Sequence, residues 1–236
     1  MHSFCFCIKT FDRPECLRRL VYSIRKYYNE KILIANDGSQ PVDLVNDFDD
    51  VEVIDLQYDV GISAGRNALI QSVTVDYFVL LDDDFVVHDG TNIDSMIGLL
   101  VENDLDIVGG IFSGTTDNYD DVYIDSRAIL HVVKPAAPEG YDLRVCTRVI
   151  NFFVASTQKV RSIGGWDDDL KLDEHTEFFL RCRKHNLKVG STSRSSVKHV
   201  RGGSEEYWRM RDRTEFSDLF EQKYGIRGFE LVTEEH

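Results

Sequence analysis

The chain has 236 residues, of which 42% are hydrophobic and 29% charged, so its composition is that of a globular protein and excludes disordered and fibrous classes. Its 41 acidic residues outnumber 27 basic ones, and the net charge of −14 argues against a nucleic-acid-binding protein, which needs a basic face. Positive charge is concentrated in residues 181–213, where ten Lys and Arg accompany three Asp and Glu. This segment is either a local anion-binding surface or a solvated helix face.

The sequence shows neither a transmembrane stretch nor a signal peptide, and its cysteines are scattered, so we expect a cytoplasmic protein. No stretch approaches the roughly 20 apolar residues of a transmembrane segment, and the N-terminus lacks the small-residue cleavage site of a signal peptide. The five cysteines are scattered without zinc-binding spacing. Cys5 and Cys7 lie on one face of a predicted strand, where we expect them to pack rather than to form a disulfide. Peripheral membrane association stays open as an alternative.

The first half of the sequence alternates between predicted strands and helices. The strands are predicted over residues 3–9, 31–35, 51–56, 76–81 and 106–112. Helices are predicted after Pro14, within 61–75 and over 91–102. This alternation predicts an α/β fold with a doubly wound, mostly parallel sheet flanked by helices.

The second half is less regular. We expect a long loop or a hairpin insert over 113–148, and no repeat or linker divides the chain, so a single domain is predicted. Strands are predicted over 149–155, 187–190 and 196–200, and helices over 174–186 and 205–224.

Three polar turns follow predicted strands, at residues 10–13, 36–39 and 82–84. Ligands of doubly wound sheets bind at the carboxyl ends of the strands, so we expect these turns to converge on one edge. Asp82, Asp83 and Asp84 would repel one another there unless a cation compensates them, and their oxygens suit Mg²⁺ or Mn²⁺. Asp82 and Asp84 would point the same way along an extended strand. A solvated acidic loop is the alternative.

Other polar residues have both a functional and a structural interpretation. Asp37 could accept a hydrogen bond from a uracil imide or cap its own turn. Arg66 and Asn67 lie near a predicted helix N-terminus, which could bind phosphate, although the glycine spacing is not that of a P-loop.

Acidic residues and a histidine begin the predicted helix 174–186. Glu174, His175 and Glu177 could supply a general base near neutral pH or complement the helix dipole. His199 lies at the end of a predicted strand and is either structural or a partner of Asp84 in a metal site.

Four of these segments together resemble glycosyltransferases of family 2 with the GT-A fold. They are Lys9-Thr10-Phe11-Asp12-Arg13-Pro14, Ala35-Asn36-Asp37-Gly38-Ser39, Ala64-Gly65-Arg66-Asn67 and Asp82-Asp83-Asp84, the last matching the family's DxD motif. Asn36 replaces the first aspartate of the family's Asp-Asp-Gly-Ser. Residues 105–110, 149–154, 175–180 and 188–191 are further similar to the β-1,4-N-acetylgalactosaminyltransferase group.

The resemblance implies inverting transfer of a sugar, N-acetylgalactosamine or another hexose, from a UDP-sugar to a hydroxyl of a glycan or glycolipid. It implies nucleotide-sugar binding in residues 1–112 and acceptor binding and catalysis in 113–236. The implied donor-binding residues are Thr10, Asp12, Arg13, Asp37, Arg66, Asn67, Asp82 and Asp83. Mn²⁺ or Mg²⁺ would be held by Asp82, Asp84 and His199.

The family usually has Glu-Asp where this chain has Glu174-His175. The base is therefore expected among Glu174, His175 and Glu177, with the first two preferred. Trp166 either stacks on acceptor sugar or packs in the core. Two other functions stay open, a sugar-1-phosphate nucleotidyltransferase and a non-catalytic sugar-binding module. The first would need a glycine-rich basic loop after the first strand, which residues 10–14 do not form.

Overall fold

A computed structural model describes residues 2–115, 118–135 and 140–233. The first half contains β1 (Phe4–Thr10), α1 (Pro14–Ile24), β2 (Ile32–Asn36), a 3₁₀ turn (Asp43–Asn46), β3 (Val51–Asp55), α2 (Ile62–Ser72), β4 (Tyr77–Asp82), β5 (Phe85–Val86), α3 (Ile93–Glu102) and β6 (Ile107–Phe112). Every strand and helix predicted for this half is present. The two-residue strand β5 was not predicted, because a run of that length carries no periodicity.

The second half contains β7 (Tyr119–Ile124), β8 (Ile129–Lys134), β9 (Arg144–Cys146), β10 (Arg148–Val149), β11 (Phe153–Ser156), α4 (Thr157–Ser162), α5 (Glu174–Lys184), β12 (Val189–His199), α6 (Glu205–Arg211), α7 (Glu215–Tyr224) and β13 (Gly228–Thr233). The hairpin expected in residues 113–148 is β7–β8, whose strands pair antiparallel. Residues 116–117 and 136–139 of that insert lie outside the described part of the chain.

Three predictions for the second half were wrong in detail. The strand predicted over 149–155 is two strands, and the chain crosses from a small sheet to the large one between them. The strands predicted over 187–190 and 196–200 are one strand, β12, with a register shift between Ser191 and Ser196. The all-polar run 191–196 hides that continuity because it shows no alternation of apolar side chains.

The helix predicted over 205–224 is broken into α6 and α7, which is the third difference. Asp212, the residue after α6, has φ −96° and ψ 56°, which lies outside the helical region. Next to it, Arg213 donates two hydrogen bonds to Asp59, Nη1 at 2.8 Å and Nη2 at 2.9 Å. Neither Gly nor Pro marks the break in the sequence, so we attribute it to this tertiary ion pair.

The large sheet has the strand order β3-β2-β1-β4-β11-β6-β12-β5, and β9 pairs with β12. The strands β3, β2, β1, β4, β6 and β12 point the same way, and β11 runs antiparallel between β4 and β6. The predicted α/β class with a mostly parallel sheet is therefore confirmed. The shared direction brings the carboxyl ends of β1, β4 and β12 to one edge.

Both faces of the large sheet are buried, as expected of a doubly wound fold. Cys5 and Cys7 of β1 pack on one face, and Phe6 and Ile8 pack on the other. All five cysteines are buried and unpaired, which agrees with packing rather than disulfide formation. The smaller sheet, β10-β7-β8-β13, is formed by the insert and the C-terminal strand. Within the three described ranges, no helix combines the length and apolar character needed to cross a membrane.

Helix α1 fixes the first polar turn of the edge. Pro14 stands in its first turn, where a missing N–H costs nothing. The helix buries Leu17, Leu20 and Val21 against the sheet, in the same core cluster as Phe6 of β1. The chain therefore enters the helix directly from the end of β1, which leaves Arg13 at the N-cap.

Candidate active site

A cleft of about 520 Å³ opens at the predicted edge of the sheet. It is lined by the ends of β1, β4 and β12, by the first residues of α5 and by α6, and its volume is in the range of small-molecule sites. The turns at residues 10–13 and 82–84 both reach it. The turn at 36–39 lies beside the first of these, since the Asp12 carboxylate accepts hydrogen bonds from the Ser39 N–H at 2.7 Å and hydroxyl at 3.0 Å.

The acidic turn, Asp82–Asp84, contains two buried carboxylates. Asp83 contacts Arg13 and accepts a hydrogen bond from the Thr10 hydroxyl at 2.7 Å. Arg13 Nη1 also donates to Asp84 Oδ2 at 2.9 Å. Burial nevertheless raises the pKa of Asp83 to about 6, although the positive charge of Arg13 opposes this shift. The cation expected beside these acids is therefore supplied in part by an arginine of the chain itself.

Asp82 belongs to a separate network. Its Oδ1 accepts from Arg66 Nη2 at 3.0 Å and its Oδ2 from Asn151 Nδ2 at 3.0 Å. Arg66 is almost fully buried, and its Nη1 donates to Glu174 Oε1 at 2.6 Å. The guanidinium thus joins the end of β4 to the start of α5, and both of its arms bind carboxylates.

The structure divides the three expected metal ligands. Strand β4 ends at Asp82 and the chain turns at Asp83, so Asp82 and Asp84 do not share the extended geometry that the sequence predicted. Asp84 lies with His199, whose Nε2 is 3.3 Å from Asp84 Oδ2. Among the described residues, no group of three His, Cys, Asp or Glu is close enough to hold one ion.

The pair formed by Asp84 and His199 fits a divalent cation. Asp84 Oδ1 is buried and has no hydrogen-bond partner among the described residues. A buried carboxylate oxygen left unpaired is costly, and a carboxylate with an imidazole is a donor set that suits Mn²⁺. Asp84 and His199 are therefore the two of the three expected ligands that could hold such an ion together.

The three candidate bases on α5 lie in different surroundings. Glu174 and His175 line the cleft, whereas Glu177 faces away from it. Glu177 is buried and bonded to Arg181 Nε at 3.0 Å and to the Tyr224 hydroxyl at 2.8 Å. Its bond to Tyr224 links α5 to α7.

His175 is electrostatically unsuited to carry a proton. Its pKa is lowered to about 3, first by burial and then by the positive charges of Arg148 and Arg66. The imidazole is therefore neutral around pH 7, and a base this weak is far from the pKa that favours proton transfer there. Glu174 Oε1 is bonded to Arg66, and no hydrogen bond reaches its Oε2 from the described residues.

Two predicted donor-binding residues hold the fold instead of lining the cleft. Asp37 is fully buried, with Oδ1 2.5 Å from Lys9 Nζ and Oδ2 accepting from the Gly61 N–H at 2.9 Å. Asn67 bonds the backbone of Trp166 twice, through Nδ2 to O and through Oδ1 from N, each at 2.8 Å. The polar side-chain groups of both residues are thus already paired within the protein.

Trp166 lies in the core. It is 2% exposed and stacks on Phe178 with ring centroids 4.4 Å apart. Of the two sequence interpretations, core packing is therefore correct and stacking on acceptor sugar is wrong. Trp208 on α6 is the tryptophan that lines the cleft, and it is 47% exposed.

Several cleft residues were missed by sequence reasoning. Lys9 and Asn151 lie in segments that carry the family resemblance but were not among the predicted site residues, and Asp173 lies outside those segments; all three line the cleft. Arg201 and Arg211 do belong to the basic segment 181–213, so its local charge was the available signal. Neither arginine makes a side-chain hydrogen bond or ion pair with the described residues. These two arginines are therefore available to bind an anion in the cleft.

Comparison with known proteins identifies relatives over most of the chain. The profile of glycosyl transferase family 2 matches residues 5–179. The chain is 35% identical over 197 residues to beta-1,4 N-acetylgalactosaminyltransferase 2 of Mus musculus and 35% identical over 213 residues to beta-1,4 N-acetylgalactosaminyltransferase 1 of Homo sapiens. Each match covers 81% of this chain and 38% of the relative, so the chain spans well under half of their length.

Solved structures share the fold. GalNAc-T7 with UDP, GalNAc and Mn²⁺ superposes with a TM-score of 0.67 at 13% identity, over 97% of this chain and 55% of that one. TarS of S. aureus in complex with UDP-GlcNAc gives a TM-score of 0.66 at 11% identity, over 93% and 65%. These likenesses agree with the predicted GT-A architecture. From the family match and the related sequences together, this chain belongs to glycosyltransferase family 2.

Proposed function

We propose that this chain is a glycosyltransferase domain that moves a sugar from a UDP-sugar to a hydroxyl of a glycan or glycolipid, with inversion at the anomeric carbon. The observation that carries the proposal is that one cleft contains the Asp84–His199 pair, the arginines Arg201 and Arg211, and the carboxylate of Glu174. The names of the relatives favour N-acetylgalactosamine as the sugar, and other hexoses are alternatives for the same chemistry.

The end of the cleft formed by the acidic turn and α6 would bind the donor. Asp84 and His199 would hold Mn²⁺ or Mg²⁺, which supplies Lewis-acid stabilisation of the leaving diphosphate when bound. Arg201 and Arg211 would place further positive charge beside the phosphates. Arg13, already bonded to Asp83 and Asp84, holds these acids in place rather than contacting the donor.

The end of the cleft at α5 would carry the base. We assign this role to Glu174, because Glu177 faces the core and the pKa of His175 is lowered to about 3. The acceptor oxygen would attack the anomeric carbon and form the new bond as the bond between sugar and phosphate breaks. The electron pair leaves with UDP, and Glu174 takes the acceptor proton. The family's second acid is thus replaced by a neutral imidazole.

This assignment corresponds to a division into a donor-binding half, 1–112, and an acceptor-binding and catalytic half, 113–236. Lys9, Arg13 and the acidic turn come from the first half, and Glu174 and His175 from the second. His199, Arg201 and Arg211 of the second half would complete the donor site. The halves are therefore functional regions that share one cleft.

Thermal-shift titration with UDP, with and without Mn²⁺, tests the proposal first. We expect stabilisation by UDP that increases with Mn²⁺, since a ligand that binds the folded state raises the melting temperature. Incubation with a panel of UDP-sugars should then release UDP from one of them. Stabilisation by UTP with a sugar phosphate would indicate a nucleotidyltransferase instead. Binding of UDP-sugar without turnover on any acceptor would indicate a binding module.

A further inference from the structure

Lys9 carries a charged group at the floor of the cleft that the proposed donor site does not yet use. It is the second-last residue of β1, and its side chain is 10% exposed and lines the cleft. Its stem lies across α2 at Gly65, where an added Cβ would come within 2.7 Å of Lys9 Cγ. The absence of a side chain at Gly65 therefore allows the Lys9 ammonium to reach this position.

The Lys9 ammonium has donors to spare. An ammonium donates three hydrogen bonds, and among the described residues its only acceptor contact is Asp37 Oδ1, at 2.5 Å. The ammonium also stands 5.2 Å from the centre of the Phe11 ring, which lines the same part of the cleft. Leaving a buried hydrogen-bond donor without an acceptor costs free energy, so an oxygen atom of a bound ligand would be a favourable partner for the Lys9 ammonium.

Asp37 cannot read a ligand in its present position. Both of its oxygens are engaged, one in the ion pair with Lys9 and the other by the Gly61 N–H, and the residue has no exposed surface. A carboxylate paired with Lys9 fixes the direction of the ammonium. Asp37 is therefore a positioning residue here, and Lys9 presents the polar group that a ligand would meet.

We propose that Lys9 recognises the nucleobase of the donor by donating a hydrogen bond to O4 of uracil while the uracil ring stacks on Phe11. This inference rests on the proposed function, because it assumes a UDP-sugar donor. Uracil has a carbonyl oxygen at C4, where cytosine has an amino group. An ammonium accepts no hydrogen bond, so cytosine would leave the Lys9 donor unpaired and place two donors against each other.

The alternative acceptor for Lys9 is a phosphate oxygen of the donor. Measuring the affinity for the nucleoside uridine distinguishes a contact with the base from a contact with phosphate. Uridine contains the base and no phosphate. If Lys9 binds O4, its loss should weaken uridine and UDP by the same factor. If Lys9 binds phosphate, uridine should bind as before and UDP alone should weaken.

The experiment measures the affinities of UDP, CDP and uridine in the full chain by isothermal titration, with uridine measured by competition. The wild type should prefer UDP over CDP by about tenfold or more, the worth of a hydrogen bond from a charged donor. Lys9→Met should abolish most of that preference. The double variant Lys9→Met/Asp37→Asn tests the same point without an unpaired buried carboxylate, since the introduced amide oxygen would still accept from the Gly61 N–H.

The matched control is Lys188→Met, which removes an exposed lysine paired with Asp104 outside the cleft. It should leave all three affinities unchanged. An unchanged ratio of UDP to CDP in both Lys9 variants, or a loss confined to UDP with uridine unaffected, would overturn the role of Lys9 alone. A wild type that binds no UDP would overturn the proposed function as well.

Discussion

The acidic turn at the end of β4 and the first turn of α5 each contain more than one acidic residue, yet the surroundings of the two groups differ. In the acidic turn, Arg13 binds Asp83 and Asp84, and one Asp84 oxygen has no hydrogen-bond partner within the described ranges. At α5, Arg66 binds Glu174, whereas Glu177 turns into the core. In both regions, an arginine distant in sequence determines which carboxylate oxygens stay available.

We infer from this comparison that the acidic turn serves metal and donor binding and that the first turn of α5 serves the transfer step. The available oxygen of the acidic turn is buried, where the attraction of a cation is strong and water competes poorly. Glu174 is about as buried as Asp84, but its Oε2 accepts no hydrogen bond from the described residues, and the residue lines the end of the cleft where we propose that the acceptor hydroxyl binds. We therefore expect substitutions in the first region to change metal and donor affinity, and substitutions in the second to change turnover.

The largest expected effect is that of Glu174→Gln. Glutamine retains an acceptor for Arg66 but cannot take a proton, so turnover should fall by ~10²–10⁴-fold while UDP affinity stays nearly unchanged. The measurement is the rate of UDP release under saturating donor, together with a UDP titration.

Glu177→Gln is the matched control, because it changes the same residue type one turn along the helix and outside the cleft. Its turnover should stay within a few-fold of the wild type, with some loss of stability from the weakened bonds to Arg181 and Tyr224. A reversed result, with Glu177→Gln inactive and Glu174→Gln active, would move the base to Glu177. Activity in both variants would place the base elsewhere, with the exposed Asp173 as the next residue to test.

A second effect concerns the acidic turn. Asp84→Asn should weaken Mn²⁺ binding by at least ~10–100-fold, the range seen even for the indirect partners of metal ligands. Asp82→Asn should weaken it less, since both oxygens of Asp82 are bonded to Arg66 and Asn151. Free Mn²⁺ can be followed by electron paramagnetic resonance in the presence of UDP. Equal losses in the two variants would mean that Asp82 moves to join the metal site when the donor binds.

For the acidic turn, the sequence predicted the position in the fold but not the side chains that bind it. Regular alternation of apolar strands and helices predicted the sheet, and the position of Asp82–Asp84 directly after an apolar strand placed these residues at its carboxyl edge, as the structure shows. The identity of their partners was not predictable, because Arg13 and Arg66 reach these acids across 71 and 16 positions of sequence. Asp37 is a similar case, since its motif was visible in the sequence but its burial against Lys9 was not.

The prediction of a single helix over residues 205–224 was wrong for a related reason. The break between α6 and α7 depends on the ion pair of Arg213 with Asp59, which lies 154 positions away. Local propensity contains no information about such a contact, and tertiary packing routinely overrides it.

The smallest expected effect is a pH dependence of stability at the α5 end. The pKa of His175 is lowered to about 3 in the folded protein, against an ordinary value of 6.5, so the unfolded chain binds its proton more readily. Stability from this group is therefore present above pH 6.5 and is lost as the pH falls toward 3. At about pH 5 the loss should amount to roughly 1–2 kcal/mol, because one pKa unit corresponds to about 1.4 kcal/mol.

Urea unfolding of the wild type and of His175→Gln at neutral and mildly acidic pH measures this difference. The wild type should lose more free energy of unfolding on acidification than His175→Gln, whose side chain does not titrate. His185→Gln serves as the control, since His185 is exposed after the end of α5 and its loss should leave the pH dependence as in the wild type. Equal pH dependence in wild type and His175→Gln would show that the imidazole can be protonated in the folded state. In that case His175 would again be a candidate for the general base, and only its position in the cleft would distinguish it from Glu174.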